Sequence, residues 1–231
     1  MAKSKKTSKT QDDKNIKAVE EALGKSEQFI EKHQNSIIYI VAAIVIIISG
    51  YIGYTRFILS PRERDAQSEM FMAQKYFERG DFELALEGDG EFLGFLDIMA
   101  EFRMTKSANL SRYYAGISMM RLGEWEEGID LLKRFRTRDQ ILGSMKYGAI
   151  GDAYWELGDL QRAARYYRRA YQYKPDNLTT PAFLLKAGLL FEYKGEYDEA
   201  IRLFDRVRKE YPNSNEGREI EKYIARAKAS K

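Results

Sequence analysis

Apolar residues follow two different patterns along this chain. From Ile37 to Thr55 they run almost unbroken and uncharged, IIYIVAAIVIIISGYIGYT. Beyond Pro61 they recur at helical spacing among Lys, Arg, Asp and Glu. The first pattern predicts a helix that is apolar on every face. At about 1.5 Å per residue, this run and its flanks reach across a hydrocarbon layer of about 30 Å. The second pattern predicts amphipathic helices, each with one stripe to bury. The expected architecture is therefore all-α: a single membrane span and then one aqueous domain.

The run reads as an uncleaved anchor. It exceeds the apolar core of about 7–15 residues found in cleaved signals, and it lacks an Ala-x-Ala exit. The N-terminal side carries Lys3, Lys5, Lys6, Lys9, Lys14, Lys17, Lys25 and Lys32, whereas Arg56, Arg62, Arg64 and Lys75 follow the span. Counted over the whole short tail, the positive-inside rule places the N-terminus in the cytoplasm and the large domain outside. Within the tail, Ile16, Val19, Leu23 and Ile30 make a helical stripe. It fits two readings equally: a short amphipathic helix on the inner membrane surface or a partner, and a weakly helical solvated tail.

The domain has an internal period of about 35 residues, the length of a helix–turn–helix solenoid unit. In the clearest copy Tyr147, Ile150, Gly151 and Tyr154 precede a Gly158-Asp159 turn. Leu160, Ala163, Tyr167 and Ala170 follow, and Pro175 closes the unit. The next copy carries Leu184, Ala187, Gly188, Phe191, Gly195, Tyr197, Ala200, Phe204 and Val207 before Pro212. Earlier copies keep Ala115, Gly116, Gly123, Trp125 and Leu132, and then Ala73, Tyr76, Gly80, Phe82 and Ala85. Small residues let paired helices approach, and aromatics fill the space beside them. Repeats are expected near 66–99, 109–142, 144–177 and 181–214, with a cap at 216–229. The tail then covers 1–35, the span 36–59 and the repeat domain 60–231. Between the first two copies, Gly88, Gly90 and Gly94 predict a turn above Phe92, Leu93 and Phe95, with a partner-docking loop as the other reading.

Composition narrows the function. The chain has no cysteine and a single histidine, His33, at the membrane edge. That excludes disulfides, thiolate nucleophiles and the usual zinc ligand sets. No catalytic residue, metal ligand or cofactor site is expected, and the chain reads as non-enzymatic. A net charge of +3 is too small to imply nucleic acid. The segment RAARYYRRAYQYK, from Arg162 to Lys174, mixes cations and aromatics as single-strand binders do. Its Ala163, Tyr167 and Ala170 already belong to the repeat core, however, and Arg165, Arg168 and Arg169 to a solvated outer face.

These small and aromatic positions resemble the tetratricopeptide repeat family, which implies a right-handed helical solenoid of about four repeats. In that family the first helix of each unit lines a concave groove. Counting along the copies puts Met70, Gln74, Phe77, Tyr113, Ile117, Met120, Asp152, Trp155, Leu185 and Leu189 there, with Tyr193 one place beyond the matching Glu192. Exposed, this lining suits extended or amphipathic protein segments; the other reading is that neighbouring helices cover some of it. The span, the block Gly88 to Phe95, the run Tyr147 to Tyr154 and the segment Ala182 to Gly188 together resemble YfgM-like ancillary subunits of the SecYEG translocon, of the Bacteroidota type. That resemblance implies a bacterial inner-membrane protein with a periplasmic domain. Its partners would be SecYEG, a PpiD-like membrane-anchored chaperone and newly exported chains. The alternative function is a scaffold subunit of another cell-envelope assembly, for secretion, motility or the cell wall.

Overall fold

The structure is a computed structural model that describes residues 32–231; the tail stripe of Ile16, Val19, Leu23 and Ile30 lies outside them. The chain divides into two compact units, Met1–Ser60 and Pro61–Lys231. Among the described residues one helical stretch, Lys32–Arg79, is long and apolar enough to cross a membrane. Its apolar part is α1, residues 32–54. There Ile40, Val45, Ile46, Ile47 and Tyr51 are all exposed, a surface that water does not favour and lipid does. A π-helical turn, Thr55–Leu59, follows, and the Thr55 hydroxyl donates to the Ile52 carbonyl at 3.0 Å.

The second unit is helical hairpins in series. They are α2 (Ser60–Arg79) with α3 (Phe82–Glu87), α5 (Lys106–Arg121) with α6 (Trp125–Arg134), α7 (Gln140–Glu156) with α8 (Leu160–Gln172), and α9 (Thr179–Tyr193) with α10 (Tyr197–Glu210). The helix α4 (Phe95–Glu101) stands between the first two hairpins, and α11 (Asn215–Ala229) follows the last. Each hairpin contacts its sequence neighbours, so the core runs along the stack in two linked clusters.

One local device makes all four hairpin turns. Gly80, Gly123, Gly158 and Gly195 have φ between +75° and +89°, a region open to glycine at no steric cost. After each glycine the next backbone N–H closes back onto a carbonyl five residues earlier. These bonds are Asp81 to Tyr76, Glu124 to Met119, Asp159 to Tyr154 and Glu196 to Phe191, each 2.9 Å. This is the Schellman geometry that ends a helix and satisfies its last carbonyls. The starts of α5, α7, α8 and α11 are capped from side chains. Thr105 accepts from Ala108 N–H at 3.0 Å, Asp139 from Leu142 at 2.8 Å, and Ser214 from Gly217 at 2.9 Å.

Close helix approach follows from the small residues. A Cβ on Gly151 would press on the Tyr167 ring, on Gly188 on Phe204, and on Gly148 on Phe183. The first two contacts join the helices of one hairpin, and the third joins α7 to α9 of the next.

The glycine block before α4 folds as a turn. Gly88 and Leu93 form an isolated bridge, and Asp89 accepts from the N–H groups of Glu91 and Phe92 and from the Tyr76 hydroxyl at 2.6 Å. Phe95 is fully buried beneath it, while Phe92 and Leu93 are half-buried.

Candidate functional site

The residues that open onto solvent between successive hairpins come from α5, α7 and α9. Ile117 and Arg121 of α5, Asp152 and Trp155 of α7, Lys186 of α9 and Trp125 of α6 surround a cavity of about 480 Å³, with Met120 and Tyr167 also in its lining. The apolar part of the lining is aromatic and aliphatic, and Asp152, Lys186, Arg121 and Glu156 supply the polar groups. Lys186 donates to both carboxylate oxygens of Asp152, at 2.8 and 2.7 Å. The Tyr167 hydroxyl donates to the same carboxylate at 2.7 Å. Burial, followed by the Asp152 charge, pushes the Tyr167 phenol well above its ordinary range, so it remains a donor. Trp155 sits edge-on to the Tyr167 ring, with centroids 6.2 Å apart. Tyr193 is tilted against the same indole, at 6.0 Å.

The expected groove residues separate into two groups. Trp155 lines the cavity, Tyr193 stands beside it at 71% exposure, and Leu189 is half-buried against the core. Met120, only 7% exposed, serves as floor. By contrast, Met70 and Tyr113 are interior, at 5% and 7% exposure. Met70 accepts a weak hydrogen bond from the Ser111 hydroxyl at 3.5 Å, and Tyr113 packs on Phe135 at 5.3 Å. Burial pushes the Tyr113 phenol up to about 12. Phe77 is half-buried in an aromatic cluster with Phe82, Phe95 and Tyr114, at 5.7, 6.5 and 5.1 Å. The correction has a simple cause. The first helix of a hairpin presents adjacent stripes to the groove and to the preceding and following hairpins, and helical spacing alone does not tell them apart. At the first hairpin the extra helix α4 sets Phe95 against Phe77.

Sequence reasoning did not single out Lys186 or Arg121. The available signal was a lone cation at Lys186 in the otherwise apolar α9 stretch TTPAFLLKAGLLF, one repeat length from Asp152.

Residues 113–177 and 149–215 match the family model described as tetratricopeptide repeat. The repeat assignment therefore rests on the chain as well as on the fold. The fold is a tetratricopeptide-type solenoid. A crystal structure of nearly identical TPR-like repeats, described as from a kinesin light chain of Podosopora anserina, aligns over 73% of this chain and 87% of that one. Its TM-score is 0.56, at 16% identity. A crystal structure of MamA aligns over 71% of this chain and 88% of that one, with TM-score 0.49 and 19% identity. No curated protein matches at significance. Tetratricopeptide repeats form protein-binding scaffolds, and no enzymatic family is found for this chain.

Proposed function

We propose that this protein is a membrane-anchored tetratricopeptide adaptor that holds extended or amphipathic segments of other proteins, and that it serves as an ancillary subunit of the SecYEG translocon. The observation that carries the adaptor reading is the cavity between α5, α7 and α9. It combines two tryptophans with an acid and a base held in fixed positions. Such a site takes one apolar or aromatic side chain of a partner, while Asp152, Lys186 and Arg121 meet the polar backbone or charges on either side of it. Indole and phenol rings supply contact area at little entropic cost. The apolar α1 supports anchorage, and tethering raises the local concentration of the groove at the membrane so that weak contacts suffice. The resemblance of the span and repeats to YfgM-like subunits supports the translocon assignment. With it go a PpiD-like chaperone partner, a cytoplasmic N-terminus and a periplasmic repeat domain in a bacterial inner membrane.

The test is purification of the full chain from native membranes in mild detergent. Stoichiometric recovery of SecYEG subunits and a membrane-anchored chaperone is the expected result. Recovery of one unrelated envelope complex instead would replace the translocon role with that of a fixed scaffold. Topology is checked by protease treatment of intact spheroplasts, where digestion of the repeat domain is expected and its survival would reverse the orientation.

A further inference from the structure

Away from the cavity, Tyr147 and Tyr154 of α7, Tyr166 of α8 and Tyr173 just after α8 form a ladder of rings. Tyr154 and Tyr166 have centroids 5.4 Å apart, Tyr166 and Tyr147 6.4 Å, and Tyr147 and Tyr173 5.6 Å. Every rung carries a cation. Arg162 lies 4.5 Å from the Tyr154 centroid, Arg169 5.2 Å from Tyr166, Lys146 5.5 Å from Tyr147, and Lys174 5.9 Å from Tyr173. Lys133 adds a second cation at Tyr154, donating to its hydroxyl at 3.0 Å. Burial pushes the Tyr154 phenol up, but the hydrogen bonds from Lys133 and Arg162 outweigh it and hold the group below its ordinary value.

This surface concentrates the charge of the chain. Residues 133–174 contain ten Lys or Arg and four Asp or Glu, a net +6, against +3 for the whole protein, so the rest is net −3. Arg162 is paired with Asp159 at 2.5 Å. Among the described residues, Lys133, Lys146, Arg169 and Lys174 have no carboxylate within ion-pair distance.

We propose that the tyrosine–cation ladder is a docking surface for an anionic bilayer. The inference rests on the membrane anchorage proposed above and is independent of the translocon assignment. Cations resting on rings are placed in advance, which lowers the cost of ordering them against phosphates. Each ring already has a guanidinium or ammonium group over it, which a nucleic-acid base would have to displace in order to stack there. A bilayer is also the one anionic surface the chain brings with it. The unit that holds α1 ends at Ser60, and the repeat unit begins at Pro61 of the same chain. The lipid is thus always at high effective concentration, whereas an acidic soluble partner must be recruited by affinity alone.

The experiment uses the full chain in proteoliposomes. Because the sequence has no cysteine, Arg165→Cys gives a single labelling site on exposed α8 for a fluorescent donor, with an acceptor on lipid headgroups. Energy transfer is expected to rise when phosphatidylglycerol is added to phosphatidylcholine, and to fall as salt approaches about 1 M. Each cation removed lowers the docked-to-undocked ratio about fivefold, so Lys133→Gln, Arg169→Gln and Lys174→Gln together lower it about a hundredfold. The helical circular dichroism of that variant is expected to stay unchanged, and Lys133→Arg with Lys174→Arg is expected to retain the signal. An incorporated chain whose transfer ignores phosphatidylglycerol overturns the inference, as does a rise that survives the triple substitution. Binding of polyglutamate or a single-stranded oligonucleotide to the labelled face, without any lipid response, replaces the bilayer with that partner class. A chain that fails to float with the vesicles removes the anchorage itself, and the inference with it.

Discussion

Lys186 of α9 reaches back one repeat to Asp152 of α7, with Nζ 2.7 Å from a carboxylate oxygen, and links two successive hairpins in the lining of the cavity. The same carboxylate holds the Tyr167 hydroxyl of α8. One acid therefore ties together three helices and places the polar half of the proposed binding site.

The three-way contact predicts unequal costs for its members. Both charged side chains are 43% exposed, so the ion pair itself contributes only about 0.2–1 kcal/mol. Lys186→Ala should cost no more than that. Asp152→Ala also strands the buried Tyr167 hydroxyl and should cost about 1–3 kcal/mol. Thermal unfolding of both variants checks the order; equal losses would mean that Tyr167 gains nothing from the carboxylate.

Helix spacing within the stack depends on Gly148. Its missing side chain leaves room for the Phe183 ring, so Gly148→Ala overpacks the α7–α9 contact and should destabilise by about 1–3 kcal/mol. Combining it with Phe183→Leu should recover part of that loss, as measured in urea denaturation. A double variant no better than the single one would show that the backbone, and not the ring, resists the methyl group.

Trp155→Ala and Tyr193→Ala should weaken partner binding by about 1–2 kcal/mol each, since aromatic anchors dominate such grooves. Tyr193 is exposed and should leave thermal stability within about 0.5 kcal/mol of the parent. Isothermal titration with a captured partner segment, set against melting curves, separates the two effects.

Acid should release the turn before α9. Asp176 accepts from the N–H groups of Leu178 and Thr179, at 2.7 and 2.6 Å, and from the Thr179 hydroxyl at 2.6 Å. Burial raises its carboxyl, but these hydrogen bonds outweigh it and leave the folded value below the ordinary 3.8. A depressed carboxyl stabilises fully above its unfolded value, and that contribution disappears as pH falls through the folded one. Asp176→Ala should therefore cost about 1 kcal/mol near neutrality. The difference from the parent should shrink below about pH 3.8. An unchanging gap would assign the loss to packing.

The hairpins were legible because their signals are local. The turn glycines at 80, 123, 158 and 195 and the small-aromatic pairs Gly151–Tyr167 and Gly188–Phe204 lie within one repeat, and spacing reveals them. The helix α4 was read only as residues packing beneath a turn. It is seven residues long, begins one residue after a glycine, and carries too little periodic pattern to count. The site was legible in part. Counting along the first helices reaches Trp155, and Tyr193 lies one place beyond the position that the count gives, Glu192. The burial of Met70 and Tyr113 depends on Ser111 and Phe135, which no single-helix pattern contains. The Asp152–Lys186 pair and the Lys133–Tyr154 contact cross between hairpins, where only the assembled stack brings the partners together.

The central claim, that an anchored groove holds protein segments, is tested most directly by a photo-crosslinking amino acid placed at Trp155 in the full chain in native membranes. The account predicts adducts with translocon subunits or exported chains at Trp155, and none from the same probe at Arg202 on the exposed face of α10. Equal crosslinking from both positions, or none from Trp155 in a folded, membrane-inserted protein, would contradict it.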